Sequence, residues 1–184
     1  SDLRLPEEEV LELCDRLPTV LVNRDIGGAH RVLVDASAGI REAIDMLAAL
    51  GHSALAYLAG PAETWADQQR RVLVLDAAAT SGVGVTVIEL GRPSYEAGRE
   101  CVGPLIASGA TAAIAFDDVI AHGVLAGLSL LGLSVPADFS VIGCDDVLAA
   151  AALPALPTVS GRSAASGAAA LSMLLALIDG EPTD

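Results

Sequence analysis

The chain has 184 residues, enough for one substantial core, and its 53% hydrophobic and 18% charged residues are typical of a soluble α/β domain. Its net charge of −14, with only 10 lysines and arginines, would repel a phosphate backbone, so the chain alone is not expected to bind DNA or RNA. No stretch reaches the roughly 18 uncharged apolar residues of a membrane helix, so no membrane-spanning helix is predicted.

The start of the chain predicts a helix, two short strands and a second helix. Apolar residues at helical spacing behind an acidic first turn predict a helix over residues 6–16, because carboxylates favour the positive end of a helix dipole. The β-branched runs TVLVNR and RVLVD predict two short strands on either side of a Gly-Gly turn. SAGIREAIDMLAALG predicts a helix that Ser37 caps and that ends at Gly51.

The rest of the chain predicts strands that alternate with helices. The predicted strands lie in HSALAYLAGP, GVTVIEL, AAIAF and FSVIGCDD. The predicted helices lie in ETWADQQRRVLVLDAAATSG, in SYEAGRECVGPLIASG, in the stretch after Asp117 and in SAASGAAALSMLLALIDG. Pro104 is expected to kink or shorten the second of these helices, because proline lacks the N–H that a helix interior needs.

This alternation predicts an α/β fold with a mainly parallel sheet, since strand–helix–strand crossovers place successive strands side by side. Open sheets of this kind hold small ligands at the carboxyl ends of their strands. Two aspartate pairs, Asp117-Asp118 and Asp145-Asp146, each follow a strand-like run and share that edge. The loops at the same edge also contain Asn23, Asp35, residues 60–65 and residues 91–95. We therefore expect a polar ligand site among these loops.

The cysteines and histidines predict no metal site and no cofactor. Cys14, Cys101 and Cys144 are far apart, lack a Cys-x-x-Cys spacing and have no histidine at zinc-ligand spacing. We interpret them as buried thiols of a cytoplasmic protein. A catalytic serine would need a Gly-x-Ser-x-Gly turn, and a phosphate loop would need a glycine-rich turn that leads into a helix. The sequence contains neither motif, so an enzyme is not predicted.

Five segments carry a family resemblance that covers nearly all of the chain. They are GHSALAYLAGP, LGRPSYEAG, AAIAFDD, LGLSVPADFSVIGCDD and LPTVS. In this order and spacing they resemble the effector-binding domain of LacI-type bacterial transcription regulators. The resemblance implies a periplasmic-binding-protein-like type I fold, in which two Rossmann-like lobes with parallel sheets are joined by three crossing strands. A small molecule binds in the cleft between the lobes of that family.

The resemblance also implies how the chain divides into lobes. Residues 1–28 and 160–184 correspond to parts of the N-terminal lobe, and residues 29–159 correspond to the C-terminal lobe. Family members begin with a helix-turn-helix headpiece and further N-terminal strands, none of which precedes Ser1 here, so a truncated N-terminal lobe is expected. The family forms homodimers and binds operator DNA through the headpiece.

Carried over by position, the resemblance implies that Asn23, Arg70, Asp117 and Asp145 contact the effector. Arginine suits such a site because its planar guanidinium donates two hydrogen bonds at once, and an aspartate accepts bonds from two hydroxyls. Arg70 could instead stay solvated or pair with Asp67, and Arg71 could exchange roles with it.

Two aromatic residues complete the expected site. Tyr95 and Trp65 are expected to face the same cleft, where their rings would stack on the apolar face of a sugar. Either ring could instead fill an interface between the lobes. Asp118 and Asp146, the second members of their pairs, are interpreted as helix caps.

The resulting prediction is a cytoplasmic, sugar-binding regulatory domain in which ligand-controlled lobe closure modulates DNA binding. Two carboxylates with one nearby arginine favour a neutral polyol over an anion. The alternatives are an exported sugar-binding receptor of the same fold and, less favoured, a Mg²⁺-dependent phosphoryl-transfer enzyme.

Overall fold

The structure, a computed structural model, describes residues 5–148 and 155–182 and divides the chain into two compact units. The smaller unit combines residues up to Val34 with residues from Arg162 onwards, and the larger unit runs from Asp35 to Gly161.

The helices and strands follow one another in chain order. The helices are α1 (Glu7–Arg16), α2 (Ser37–Ala49), α3 (Trp65–Thr80), α4 (Tyr95–Glu100), α5 (Val102–Ala107), α6 (Asp118–Leu130) and α7 (Ser163–Asp179). The strands are β1 (Val20–Val22), β2 (His30–Val32), β3 (Ala54–Ala59), β4 (Gly84–Glu89), β5 (Ala112–Ala115), β6 (Ser140–Cys144) and β7 (Thr158–Val159). None of the described helices is both long and apolar enough to cross a membrane.

In the larger unit, five parallel strands form one sheet in the order β4-β3-β5-β6-β7. Side chains alternate between its two faces, as the pleat of a strand requires. Leu55, Tyr57 and Ala59 of β3 pack in a core with α2 and α3. Ala56 and Leu58 pack on the opposite face with α5 and α6. Because all five strands are parallel, their carboxyl ends meet at one edge of the sheet. The parallel sheet with helices on both faces confirms the predicted α/β fold.

The smaller unit consists of α1, the parallel pair β1 and β2, and α7. Its core contains Val10, Ile26 and Ala29, with Leu11 and Leu21 partly buried around them. Helix α7 lies beside both strands.

Of three local predictions, the structure corrects those for Ser37 and Cys14 and confirms that Pro104 shortens its helix. Ser37 is the first residue of α2 and caps nothing; the Asp35 carboxylate accepts the Ser37 N–H instead, at 2.8 Å. The helix around Pro104 is two helices, since α4 ends at Glu100, the residue whose carbonyl a proline ring at 104 would contact in a continuous helix. Cys101 and Cys144 are buried free thiols, whereas Cys14 is only half-buried, because α1 is covered on one side.

Candidate functional site

Three of the predicted site residues meet at the carboxyl edge of the larger unit's sheet. Arg70 projects from α3 and its Nη2 donates to Asp145 Oδ1 at 2.9 Å. Its Nη1 donates to the Phe116 carbonyl, and its guanidinium carbon lies 4.8 Å from the centre of the Phe116 ring. The arginine side chain is 12% exposed and that of Asp145 is 40% exposed. A ligand would therefore meet a buried cation and a more accessible anion.

Asp117 lies beside this pair as the N-cap of α6. Its Oδ1 accepts the Ile120 N–H at 2.7 Å. Burial raises the pKa of the Asp117 carboxyl, and the Asp145 carboxylate raises it further, against the opposing effects of the Ile120 N–H and of Arg70. The two carboxylates therefore interact electrostatically, whereas the hydrogen bond from Arg70 to a carboxylate goes to Asp145.

The cap position of Asp117 gives a testable prediction. A carboxyl whose pKa is raised on folding destabilises the folded state as pH rises from the unfolded pKa, about 4, through the folded pKa. Asparagine is an equally good cap without the charge, so Asp117→Asn should raise the free energy of unfolding at neutral pH. The gain should vanish below about pH 4, where both forms are neutral.

Urea denaturation at several pH values measures this gain. Asp117→Ala is the matched variant, since it removes both charge and cap, and it should be less stable than Asp117→Asn by about 1 kcal/mol. A wild type more stable than Asp117→Asn at neutral pH would contradict the proposed cost of the charge.

A third acidic residue, Asp67, lies outside the predicted set of ligand-binding residues and is fully buried. Its Oδ1 accepts the Tyr57 hydroxyl at 2.9 Å and the Gly60 N–H at 2.7 Å, and its Oδ2 accepts Arg71 Nη2 at 3.1 Å. Burial, together with Asp67, raises the pKa of Tyr57, which keeps that hydroxyl a donor. The signal in the sequence was Thr64-x-x-Asp67 at the start of a helix, the spacing of a capping box.

Arg71 has partners different from those of Arg70. Besides Asp67, it forms two hydrogen bonds to the Glu89 carboxylate, at 2.6 and 2.9 Å. Arg71, and not Arg70, is therefore the partner of Asp67, and the structure brings only Arg70 to Asp145.

The capping roles expected for the second aspartates are wrong. Asp117 occupies the N-cap of α6, so Asp118 is already the first residue of that helix, and it is 2% exposed. Asp146 lies in a turn after β6 with a φ of 55°, and the described residues that follow it, 147 and 148, are not helical.

The remaining predicted residues are not brought to Arg70 by any described contact. Trp65, half-buried, and Tyr95, 41% exposed, are the first residues of α3 and α4, both of which begin near the carboxyl edge of the sheet. Asn23 belongs to the smaller unit, where its Oδ1 accepts the Val34 N–H at 3.0 Å and its N–H donates to the Val32 carbonyl. Their roles in ligand binding stay predictions.

The part of the chain that the structure describes contains no cluster of metal-binding side chains. Within residues 5–148 and 155–182, no three His, Cys, Asp or Glu side chains come together as a group that could hold a metal ion.

Comparison with known proteins places this chain in a family. The family model of the periplasmic binding protein-like domain matches residues 44–184 of this chain. The HTH-type transcriptional regulator GalS of Salmonella typhimurium is 34% identical over 150 residues, which are 78% of this chain and 44% of that protein. The chain spans about half the length of the curated relatives it matches, from 44% of GalS to 54% of GalR from Escherichia coli.

Solved structures agree with the sequence relatives. The transcription regulator CcpA of Lactococcus lactis superposes with a TM-score of 0.87 at 27% identity, over 100% of this chain and 70% of that one. A LacI family transcriptional regulator from Arthrobacter sp. FB24, in complex with lactose, superposes with a TM-score of 0.83 at 25% identity, over 97% and 69% of the two chains.

These relatives are transcription regulators, not enzymes, so neither a phosphoryl-transfer enzyme nor an exported receptor is favoured. The family predicted from the sequence is confirmed. The chain belongs to the periplasmic binding protein-like domain family and corresponds to the effector-binding domain of LacI-type transcription regulators.

Proposed function

We propose that this domain binds a neutral sugar at Arg70, Asp117 and Asp145, and that binding controls the regulator to which the domain belongs. The observation that carries the proposal is the Arg70–Asp145 pair beside Asp117, at the carboxyl edge of a parallel sheet. The lactose bound to the Arthrobacter relative supports a sugar as the ligand class.

The chemistry of the three side chains favours a polyol. Each carboxylate accepts bonds from one or two hydroxyls, and the guanidinium donates to a hydroxyl or ring oxygen. One cation and two anions leave the site with a negative balance, which opposes a sugar phosphate or a sugar acid. Trp65 and Tyr95 would supply the stacking surface for the apolar face of the ring.

The proposed regulatory mechanism is a shift between conformations. The larger unit corresponds to the C-terminal lobe and the smaller unit to part of the N-terminal lobe of a two-lobed domain. A ligand that binds the closed arrangement more tightly shifts the population towards it, and this change alters operator binding by a DNA-binding headpiece. In this proposal the regulator acts as a homodimer in the cytoplasm.

Calorimetric titration with lactose, glucose, ribose and glucose 6-phosphate tests the ligand class, and Trp65 fluorescence provides a second signal. We expect saturable binding of at least one neutral sugar and weaker binding of the phosphate. Arg70→Ala should weaken that binding by about 10- to 100-fold, because a hydrogen bond to a charged group contributes about 1.5–3 kcal/mol.

Arg41→Ala is the matched control, since Arg41 is an exposed arginine of α2 in the same unit. It should bind like the wild type. Unchanged affinity in Arg70→Ala, or a preference for glucose 6-phosphate over every neutral sugar, would contradict the proposed site.

A further inference from the structure

The turn that carries Asp145 has an unfavourable backbone conformation. Asp145 has a φ of 93° and Asp146 a φ of 55°, in the left-handed region that side chains other than glycine rarely adopt. Such a pair persists only where its surroundings hold it. The backbone of the turn sets the direction of the Asp145 carboxylate, which reaches Arg70 from this position. Whatever holds the turn therefore also holds the ion pair.

The buried carboxylate of Asp118 holds this turn. Its Oδ2 accepts the N–H groups of Val147 and Leu148, at 2.8 and 3.0 Å. Its Oδ1 accepts the hydroxyl of Thr158 at 2.7 Å, and that hydroxyl oxygen in turn accepts the Asp146 N–H at 3.3 Å. One carboxylate thus fixes, directly or through Thr158, the three residues that follow Asp145.

The neighbouring positions fit this arrangement. A side chain on Gly143 would begin 2.3 Å from Asp118 Oδ1, so glycine in β6 leaves the space that the carboxylate occupies. His122 lies one helical turn after Asp118, and its Nε2 bonds to the Leu148 carbonyl at 2.9 Å. Helix α6 therefore secures both the N–H and the carbonyl of Leu148. The Asp145 N–H itself donates to the Val159 carbonyl of β7, at 2.8 Å.

We propose that Asp118 is a positioning residue, which acts through Thr158 and the 145–148 turn to hold the Asp145 carboxylate against Arg70. Asp118 contacts no ligand in this proposal, since its oxygens already accept three donors and it is 2% exposed. The adjacent residue Asp117 faces the ligand site and caps α6, so the two aspartates have separate roles. The consequence for ligand affinity rests on the proposed function, whereas the ion pair itself does not.

The ion pair can be observed without any ligand. NMR of isotope-labelled arginine side chains distinguishes hydrogen-bonded, slowly exchanging guanidinium N–H groups from free ones, and Asp145→Ala identifies the Arg70 signals that depend on Asp145. Thr158→Val has nearly the same shape as the wild type but lacks the hydroxyl that links Asp118 to Asp146. We expect its Arg70 signals to move most of the way to those of Asp145→Ala.

Two variants make this comparison specific. Thr158→Ser keeps the hydroxyl and should restore the wild-type Arg70 signals. Thr80→Val removes a hydroxyl that bonds to the Asp76 carbonyl within α3, and it should leave those signals unchanged. Thr158→Ala takes the place of Thr158→Val if the valine variant does not fold. Wild-type Arg70 signals in a folded variant without the Thr158 hydroxyl would overturn the positioning role.

Titration with lactose then separates the two proposals. If lactose binds, Thr158→Val should weaken its binding at least tenfold in the wild-type background and leave it unchanged in an Asp145→Ala background. Equal weakening in both backgrounds would overturn the positioning role, because a general structural defect does not depend on Asp145. If none of the tested sugars binds the wild type, the proposed ligand class fails, while the NMR comparison still decides whether the link from Asp118 through Thr158 holds the ion pair.

Discussion

Replacing Asp67 with alanine should destabilise the protein by about 3–5 kcal/mol, the usual cost of removing one partner from a buried, hydrogen-bonded charge network. The Asp67 side chain is fully buried and accepts the Tyr57 hydroxyl, the Gly60 N–H and an Arg71 N–H. Alanine leaves the Tyr57 hydroxyl and the Gly60 N–H buried without an acceptor, and each unsatisfied donor costs about 1–3 kcal/mol. Urea denaturation monitored by circular dichroism measures the loss.

Tyr57→Phe is the control, because it removes a single donor and leaves the carboxylate with its other two partners. Its cost should be about 1 kcal/mol. The larger loss in Asp67→Ala would show that the carboxylate organises the start of α3, one turn before Arg70. A loss below about 1 kcal/mol in Asp67→Ala would mean that water replaces the missing acceptor.

The strands and most helices could be predicted because their signals are local. In β3 and β5, uninterrupted runs of apolar residues reflect a sheet that is covered on both faces. The break between α4 and α5 was only partly predicted, since it depends on which carbonyl the ring of Pro104 would contact.

The pairing of side chains at the site was harder to predict. Which of Asp117 and Asp118 caps α6 depends on a one-residue difference in where the backbone becomes helical, and the sequence pattern does not resolve this difference. The partners of Asp118 lie 29, 30 and 40 residues away, so no local motif indicates them. For Asp67, a capping-box spacing indicates the helix start but not the bond to Tyr57 on the neighbouring strand.

Replacing Gly123 with alanine should destabilise the protein by about 3 kcal/mol or more, the upper part of the range for overpacking. A Cβ at Gly123 would lie 2.1 Å from the Tyr95 carbonyl oxygen and 2.8 Å from the Arg99 nitrogen. Both neighbouring atoms belong to the backbone of α4, so the clash cannot be relieved by the rotation of a side chain. Relief requires α4 and α6 to separate, and the facing Gly98 already lies against the Ile120 carbonyl.

Gly103→Ala is the matched control, since Gly103 lies in the adjacent helix α5 and a Cβ there would meet nothing within 4 Å. Alanine should stabilise that helix by about 0.5–1 kcal/mol, because glycine loses more backbone freedom on folding. The opposite signs of the two changes, measured by urea denaturation, would isolate the helix contact from helix propensity. Since α4 begins with Tyr95 and α6 begins next to Asp117, separating these helices should also weaken the proposed binding of a sugar. A Gly123→Ala protein as stable as the wild type would mean that the two helices do not touch through their backbones.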